Sequence, residues 1–271
     1  DVYKRQQRSD AESLAIVSCL PAWICERLLS TLPPAEIRDF GHSFLHPAPL
    51  CLRVNTRIIA RDRALSILRN EGILCSPGSH SSHAIIVHER VNLSRHELML
   101  SGALEVQDEG SQIVGFAAQP HLNDRVLDAC AGAGGKSLHI AVLQDDKGYV
   151  MASDLEPKRM RELHGRMKTS LLSSIHIQAL HQMSDVERQR LLQSFDIVLV
   201  DAPCSGLGTI RRSPMLKWRT TADAINRLHE KQCRIIAEYS EYVKPGGILI
   251  YVTCSIMKEE NDDVVSHFLR S

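Results

Sequence analysis

The stretch Val126-Leu127-Asp128-Ala129-Cys130-Ala131-Gly132-Ala133-Gly134-Gly135-Lys136-Ser137 passes from an apolar strand through a glycine-rich turn into a helix. Glycine accepts the backbone angles of such a turn and lets the main chain approach a ligand closely, and the unpaired N–H groups at the helix start favour anionic or polar groups. Two familiar turns are excluded: a P-loop requires Gly where Cys130 stands, and the dinucleotide fingerprint requires a third Gly where Ser137 stands. By itself the turn indicates a nucleotide-like ligand. The next strand, Tyr149-Val150-Met151-Ala152, leads to Asp154, about 20 residues past the turn, where an acid commonly binds ribose hydroxyls. Asp154 is equally suited to cap the following helix, because Pro157 stands at an early helical position.

Around this turn, strands alternate with helices. Val126-Leu127, Tyr149-Val150-Met151-Ala152, Ile175-His176-Ile177 and residues 195–200 and 247–252 read as strands, and residues 135–143, 158–171, 185–192 and 221–243 as helices. That alternation predicts a five-stranded parallel sheet with helices on both faces. Upstream, apolar positions between residues 14 and 37 recur at helical spacing, with Pro21 near one helix start and Pro33-Pro34 separating short helices. Leu50-Cys51-Leu52-Arg53-Val54-Asn55 reads as a strand, residues 62–70 as a helix stopped at Glu71-Gly72, and residues 84–87 as another strand. The expected division is a helical segment over 1–47, a small α+β module over 48–105 and a larger α/β domain over 106–271.

Bulk composition sets limits. The 271 residues, 44% hydrophobic and 24% charged, describe an ordinary globular chain, and that length allows two domains. Lys plus Arg and Asp plus Glu balance at 32 each, so any nucleic-acid binding must come from local patches. Two are candidates: Lys158-Arg159-Met160-Arg161 with Arg166 and Lys168, and Arg211-Arg212 with Lys217 and Arg219. The eight cysteines include no C-x-x-C pair to join the thirteen histidines, which argues against structural zinc and leaves the metal expectation at none. Without an N-terminal apolar signal or a long apolar run, the expected setting is the reducing cytoplasm with no membrane contact.

Position singles out two cysteines. Asp201-Ala202-Pro203-Cys204-Ser205-Gly206 follows the apolar strand ending at Val200, and Thr253-Cys254-Ser255 follows the strand ending at Val252. Open α/β sheets place their ligands at such carboxyl ends. Cys19, Cys25, Cys51, Cys75, Cys130 and Cys233 take the ordinary reading of a lone cysteine, a small buried hydrophobe.

These motifs together resemble the RNA cytosine-5 methyltransferases, especially bacterial small-subunit rRNA enzymes. The resemblance rests on Asp201 to Gly206, Thr253 to Ser255 with Glu259-Glu260-Asn261 behind it, and Cys130 to Lys136. It extends to Val106-Gln107-Asp108-Glu109-Gly110-Ser111-Gln112, like the helix leading into the catalytic domain, and to Leu52-Arg53-Val54-Asn55, like the preceding RNA-binding module. It implies a Rossmann-like sheet with S-adenosylmethionine as cofactor, bound by Cys130, Ala131, Gly132, Ala133, Gly134, Gly135, Lys136, Asp154 and Asp201. Cys254 would add to C6 of the base, Asp201 would share a proton at its N3 edge, and Cys204 would assist proton removal from C5 and release. Lys136 is the candidate for stabilising a thiolate. Arg53 and Asn55, and Arg211, Arg212, Lys217 and Trp218 after the cysteine loop, are the candidate RNA contacts, with packing an equal reading for Trp218. The implied partner is small-subunit rRNA, not DNA, and a monomer is favoured.

The chain departs from the family in two places. Ala131-Gly132-Ala133 replaces Ala-Ala-Pro before Gly-Gly-Lys, so the turn is expected to be more flexible. The acid usual after the third strand for adenine is replaced by the neighbourhood of Leu180-His181-Gln182. The sheet is expected to be incomplete, ending on an exposed edge after Cys254. A DNA cytosine-5 methyltransferase, with its nucleophile in Pro-Cys, fits worse, and a nicotinamide dehydrogenase has no use for two strand-end thiols. A non-catalytic RNA-binding or ribosome-assembly factor that retains the fold is the alternative from a different class.

Overall fold

The computed structural model describes residues 9–271. In chain order, the first half contains α1 (Asp10–Ser18), α2 (Ala22–Leu28), α3 (Pro34–Ser43), β1 (Leu50–Val54), α4 (Arg61–Asn70), β2 (Cys75–Pro77), β3 (Ala84–Val87), α5 (Glu97–Leu100), β4 (Leu104–Val106) and α6 (Glu109–Ala117). There follow β5 (Arg125–Asp128), α7 (Gly135–Leu143), β6 (Tyr149–Ala152), α8 (Pro157–Thr169), β7 (Ile175–Ile177), α9 (Asp185–Gln189) and β8 (Phe195–Asp201). The last elements are α10 (Leu216–Arg219), α11 (Ala222–Ser240), β9 (Val243–Val252) and α12 (Asp262–Phe268).

Local chemistry accounts for many of these starts. Ser9 and Glu12 form a capping box at α1, as Ser184 and Glu187 do at α9, and Pro34 and Pro157 occupy the first turn of α3 and α8. The residue that caps α8 is Glu156, not Asp154. Asp154 instead receives the Glu156 N–H at 2.8 Å from outside the helix.

The elements sort into two units. One comprises residues 49–201 and 238–252 and holds two sheets. Its parallel sheet runs β7-β6-β5-β8-β9, all five strands parallel, with Val126 beside Val150 and Ile197. Val126, Val150, Ile175, Ile197 and Leu199 of the strands, Leu138 and Ile140 of α7 and Leu163 of α8 fill one apolar core. The antiparallel sheet runs β2-β3-β1-β4, with Leu52 facing Ile85 and Val106 across its neighbours. Ala64, Leu65 and Leu68 of α4 cover it.

Two of these strands, β2 and β4, go beyond the sequence reading, which has only β1 and β3 in this module. Each is three residues long, too short for an alternation signal, and Pro77 is accommodated because β2 is an edge strand. Val106, read as helical, ends β4 instead.

The other unit combines the described part of residues 1–48 with 202–237 and 253–271. Leu14, Ile24, Leu28 and Ile37 of the N-terminal helices, with Leu20 between two of them, share a core with Leu207, Ile210, Ile225 and Met257. The helical segment therefore has no core of its own. Among the described residues, no helix is long and apolar enough to cross a membrane.

Candidate active site

The two strand-end cysteines come together in the second and third segments of the three-segment unit. Cys204 Sγ lies 3.3 Å from Cys254 Sγ, and the Cys254 N–H donates to Cys204 Sγ at 3.4 Å. Cys254 is exposed and Cys204 half-buried. The hydrogen bond to Cys254, followed by burial, drives the Cys204 thiol far above its ordinary range. Cys204 thus holds its proton more strongly than a free thiol does.

A carboxylate holds the two loops in register. Glu260, fully buried, accepts from the Ser205 N–H at 2.8 Å and the Ser205 hydroxyl at 2.5 Å, from the Ser255 hydroxyl, and from the Gln232 amide at 3.0 Å. Gln232 also donates to the Pro203 carbonyl at 3.0 Å. The Gly208 N–H donates to the Cys254 carbonyl at 2.8 Å, and a Cβ on Gly208 would collide with that carbonyl. Asn261 fastens the second loop, accepting from the Thr253 hydroxyl at 2.6 Å and donating to the Ser255 and Met257 carbonyls. Glu260 and Gln232 have no assigned role in the sequence reading. The only signal there was the Glu259-Glu260-Asn261 run behind Cys254.

In the two-sheet unit, the glycine turn leaves β5 and enters α7 through Gly134, whose φ is 80°. A Cβ there would collide with Leu163. Gly132, at φ 56°, donates its N–H to Asp154 Oδ2 at 2.8 Å. The Lys136 ammonium lies 2.5 Å from Asp201 Oδ2, so its charge is committed to a carboxylate. Asp128, at the end of β5, is fully buried and accepts from the Ser137 hydroxyl at 2.6 Å. Burial raises its carboxyl to about 6. Beside Asp154, a groove of about 340 Å³ is lined by Met160, Ile177, Gln178 and His181 among others.

The RNA-contact assignments fare unevenly. Arg53 is 1% exposed and Asn55 2%, so neither faces a macromolecule in this structure. Arg53 is drawn inward by Glu105 and Gln107, and the Asn55 amide donates to the Ser170 carbonyl at 3.2 Å. Arg211 donates to the His46 and Pro47 carbonyls at 3.0 and 2.9 Å, and Lys217 to the Cys19 carbonyl at 2.6 Å. Both keep their charge at the surface while anchored. Arg212 is exposed. Trp218 is 60% exposed, which leaves little of the packing role open to it. Of the cysteines read as buried hydrophobes, Cys19 is exposed and Cys130 and Cys233 are half-buried.

Residues 116–271 match the model of the 16S rRNA methyltransferase RsmB/F family. The chain belongs to that family. Residues 20–94 also match the ferredoxin-like domain of RsmF/B-like methyltransferases, a span containing β1, β2 and β3 of the antiparallel sheet. Among curated RsmB/F relatives, the chain is 34% identical over 257 residues to the probable ribosomal RNA small subunit methyltransferase B of Bacillus subtilis (strain 168), covering 95% of this chain and 57% of that protein. Over 250 residues it is 34% identical to ribosomal RNA small subunit methyltransferase B of Shewanella oneidensis, covering 92% and 57%. The chain thus spans 57% of the length of each. A solved structure of a methyltransferase homologue protein from Pyrococcus horikoshii is 25% identical, with a TM-score of 0.83 over 97% of this chain and 83% of that one. This RsmB/F chain therefore has the Rossmann-like methyltransferase fold with a ferredoxin-like module.

Proposed function

We propose that this chain transfers a methyl group from S-adenosylmethionine to C5 of a cytosine in small-subunit rRNA, in a cytoplasmic setting, through a covalent adduct between Cys254 and C6. The observation that carries the reading is the thiol pair, two sulfurs 3.3 Å apart, with the Cys204 thiol raised far above its ordinary range. Family membership and the names of the relatives support the substrate class.

C5 of cytosine is a poor nucleophile until a thiolate adds to C6. Cys254 Sγ forms that C–S bond, and Asp201 shares a proton with the N3 edge, taking up the charge that develops on the ring. When bound, S-adenosylmethionine supplies an electrophilic methyl group, which C5 takes as the bond to the sulfonium sulfur breaks. Once Cys254 is committed to carbon it no longer holds negative charge against its neighbour. The hydrogen bond to Cys254 that raises Cys204 is then gone, Cys204 gives its own proton to solvent, and the thiolate so formed removes the C5 proton. Electrons from that C–H bond reform the ring double bond and expel the Cys254 thiolate.

The two-sheet unit has features that suit the cofactor. Gly132 and Gly134 supply the close-approach turn, the first N–H groups of α7 lack intrahelical partners, and Asp154 stands where ribose hydroxyls are bound. The groove beside it, with Met160 and Ile177 as apolar walls and the Gln178 amide, is suited to adenine in place of an acid. Arg211, Arg212 and Lys217 are proposed as phosphate contacts and Trp218 as a stacking surface for an unpaired base.

The test is transfer of label from the methyl donor into small-subunit rRNA. Cys204→Ser should accumulate a covalent RNA adduct that Cys254→Ala abolishes. Equal label transfer by wild type and Cys254→Ala would overturn the mechanism. Absence of both label and adduct in every variant would favour an RNA-binding factor that retains the fold.

A further inference from the structure

Beneath the glycine turn lies a charged network that the proposed chemistry does not use. Arg53, on β1, donates through Nη1 to the Gly135 carbonyl and to Gln107 Oε1, both at 2.6 Å, and pairs through Nη2 with Glu105 on β4. Arg166, on α8, donates through Nη1 to the Ala133 carbonyl at 2.5 Å and binds both Glu105 oxygens at 3.2 and 3.3 Å. Ser170 adds its hydroxyl to Glu105 at 3.4 Å. One buried carboxylate from the antiparallel sheet thus holds two guanidiniums, and each guanidinium grips a carbonyl of the turn.

A trans peptide is planar, so fixing a carbonyl fixes the N–H on the other side of the same plane. Arg166 on Ala133 O sets the plane that carries the Gly134 N–H, which closes the turn onto Ala131 O at 2.8 Å. Arg53 on Gly135 O sets the plane carrying the Lys136 N–H, in the first turn of α7. Residues 130–136 contain no proline, so no ring restricts the backbone of the turn. Cross-bracing by side chains supplies that restriction from outside.

We propose that Arg53 and Arg166 are positioning residues for the cofactor turn, and that the antiparallel sheet, through Glu105 on β4, serves to hold that turn in its binding shape. The proposal rests on the reading of the turn as the S-adenosylmethionine site. Buried donors held by a charged partner are costly to disrupt, so the network is a rigid strut.

Arg166 is the variant of choice, being partly exposed where Arg53 is buried. Two measurements are made on the whole chain: binding of sinefungin, an unreactive analogue of the methyl donor, by calorimetry, and amide hydrogen exchange. Arg166→Ala is expected to weaken sinefungin about tenfold and to speed exchange at residues 132–136 by a similar factor. Exchange in β1, β6 and β7 and the melting temperature should stay near wild type. Arg166→Lys, with a charge but no fork, should fall between. Wild-type affinity and exchange in Arg166→Ala would overturn the proposal, as would a loss of protection spread evenly over the unit. If the wild type itself fails to bind sinefungin, the cofactor reading fails, and exchange at residues 132–136 still decides whether the arginines hold the turn.

Discussion

The carboxylate of Glu260 accepts both the main-chain N–H of Ser205, at 2.8 Å, and its hydroxyl, at 2.5 Å. Ser205 follows Cys204, and the same carboxylate accepts the hydroxyl of Ser255, which follows Cys254. One side chain therefore dictates the spacing of two sulfurs that lie fifty residues apart in the chain.

Replacing that carboxylate should separate the thiols. Glu260→Ala removes the acceptor shared by the Ser205 N–H, the Ser205 and Ser255 hydroxyls and the Gln232 amide, a cost of about 2–4 kcal/mol. Glu260→Gln keeps the shape and part of the acceptance. The expected order of adduct formation, measured in a Cys204→Ser background by denaturing gel, is Glu260 above Gln above Ala. Equal adduct yields in all three, at matched folded fractions, would remove Glu260 from the alignment of the site.

Lys136 and Asp201 form a partly buried pair at 2.5 Å. Removing either leaves the other's charge less well balanced, so Lys136→Gln and Asp201→Asn should each weaken sinefungin, and the double variant should lose less than the sum. A coupling of about 1 kcal/mol is expected for a pair of this exposure. Strict additivity in calorimetric affinities would mean that the two residues act separately.

Gly134 combines a φ of 80° with a Cβ direction blocked by Leu163. Gly134→Ala should lower stability by about 1–3 kcal/mol from backbone strain and overpacking together. Gly72, also at positive φ but facing open space, is the control, since Gly72→Ala carries the strain alone. Urea midpoints for the two variants read the difference.

The acid limb of the stability curve should carry the mark of a buried histidine pair. His139 is fully buried, 3.2 Å from His83 across the ring nitrogens, and burial depresses both, His139 well below its ordinary value. The unfolded chain binds protons near pH 6.5 that the folded chain refuses, so this contribution is complete above that pH and is lost as pH falls below it. Asp128 works oppositely: with its carboxyl raised to about 6, the folded state gains relative to the unfolded as pH drops from 6 toward 4. His139→Leu should flatten the decline between pH 7 and 5, and Asp128→Asn should steepen it, in urea titrations at each pH. Parallel curves for all three proteins would show that neither group controls the acid limb.

What could be read from the sequence follows the range of the forces involved. The edges of β3, β6 and β7 and the span of α7 are set by local runs of apolar and glycine residues, and they coincide with the reading. The cysteine pair was marked by strand-end position. Glu260 was not, because its partners come from residues 203–205, 232 and 255, and nothing local to Glu259-Glu260-Asn261 says the middle acid turns inward. Arg53 misled for the same reason. The resemblance makes Arg53 a candidate RNA contact, while its burial depends on Glu105, a partner fifty-two residues away on a strand too short to detect. Asp154 kept its place beside the turn yet does not cap the helix, since Pro157 lets Glu156 do so.

The N-terminal helices share their core with Leu207, Ile225 and Met257. During synthesis, Leu14 and Ile24 leave the ribosome long before those partners exist. At about 5–20 residues per second, the apolar face of the helices stays uncovered for roughly ten seconds to most of a minute. Between Leu207 and Met257, moreover, the chain must also deliver β9 to the parallel sheet. Assembly of the unit that carries the thiols thus waits until Met257 has been made, and a ribosome-bound nascent chain should acquire reactive, unpaired cysteines well before it acquires a matched pair.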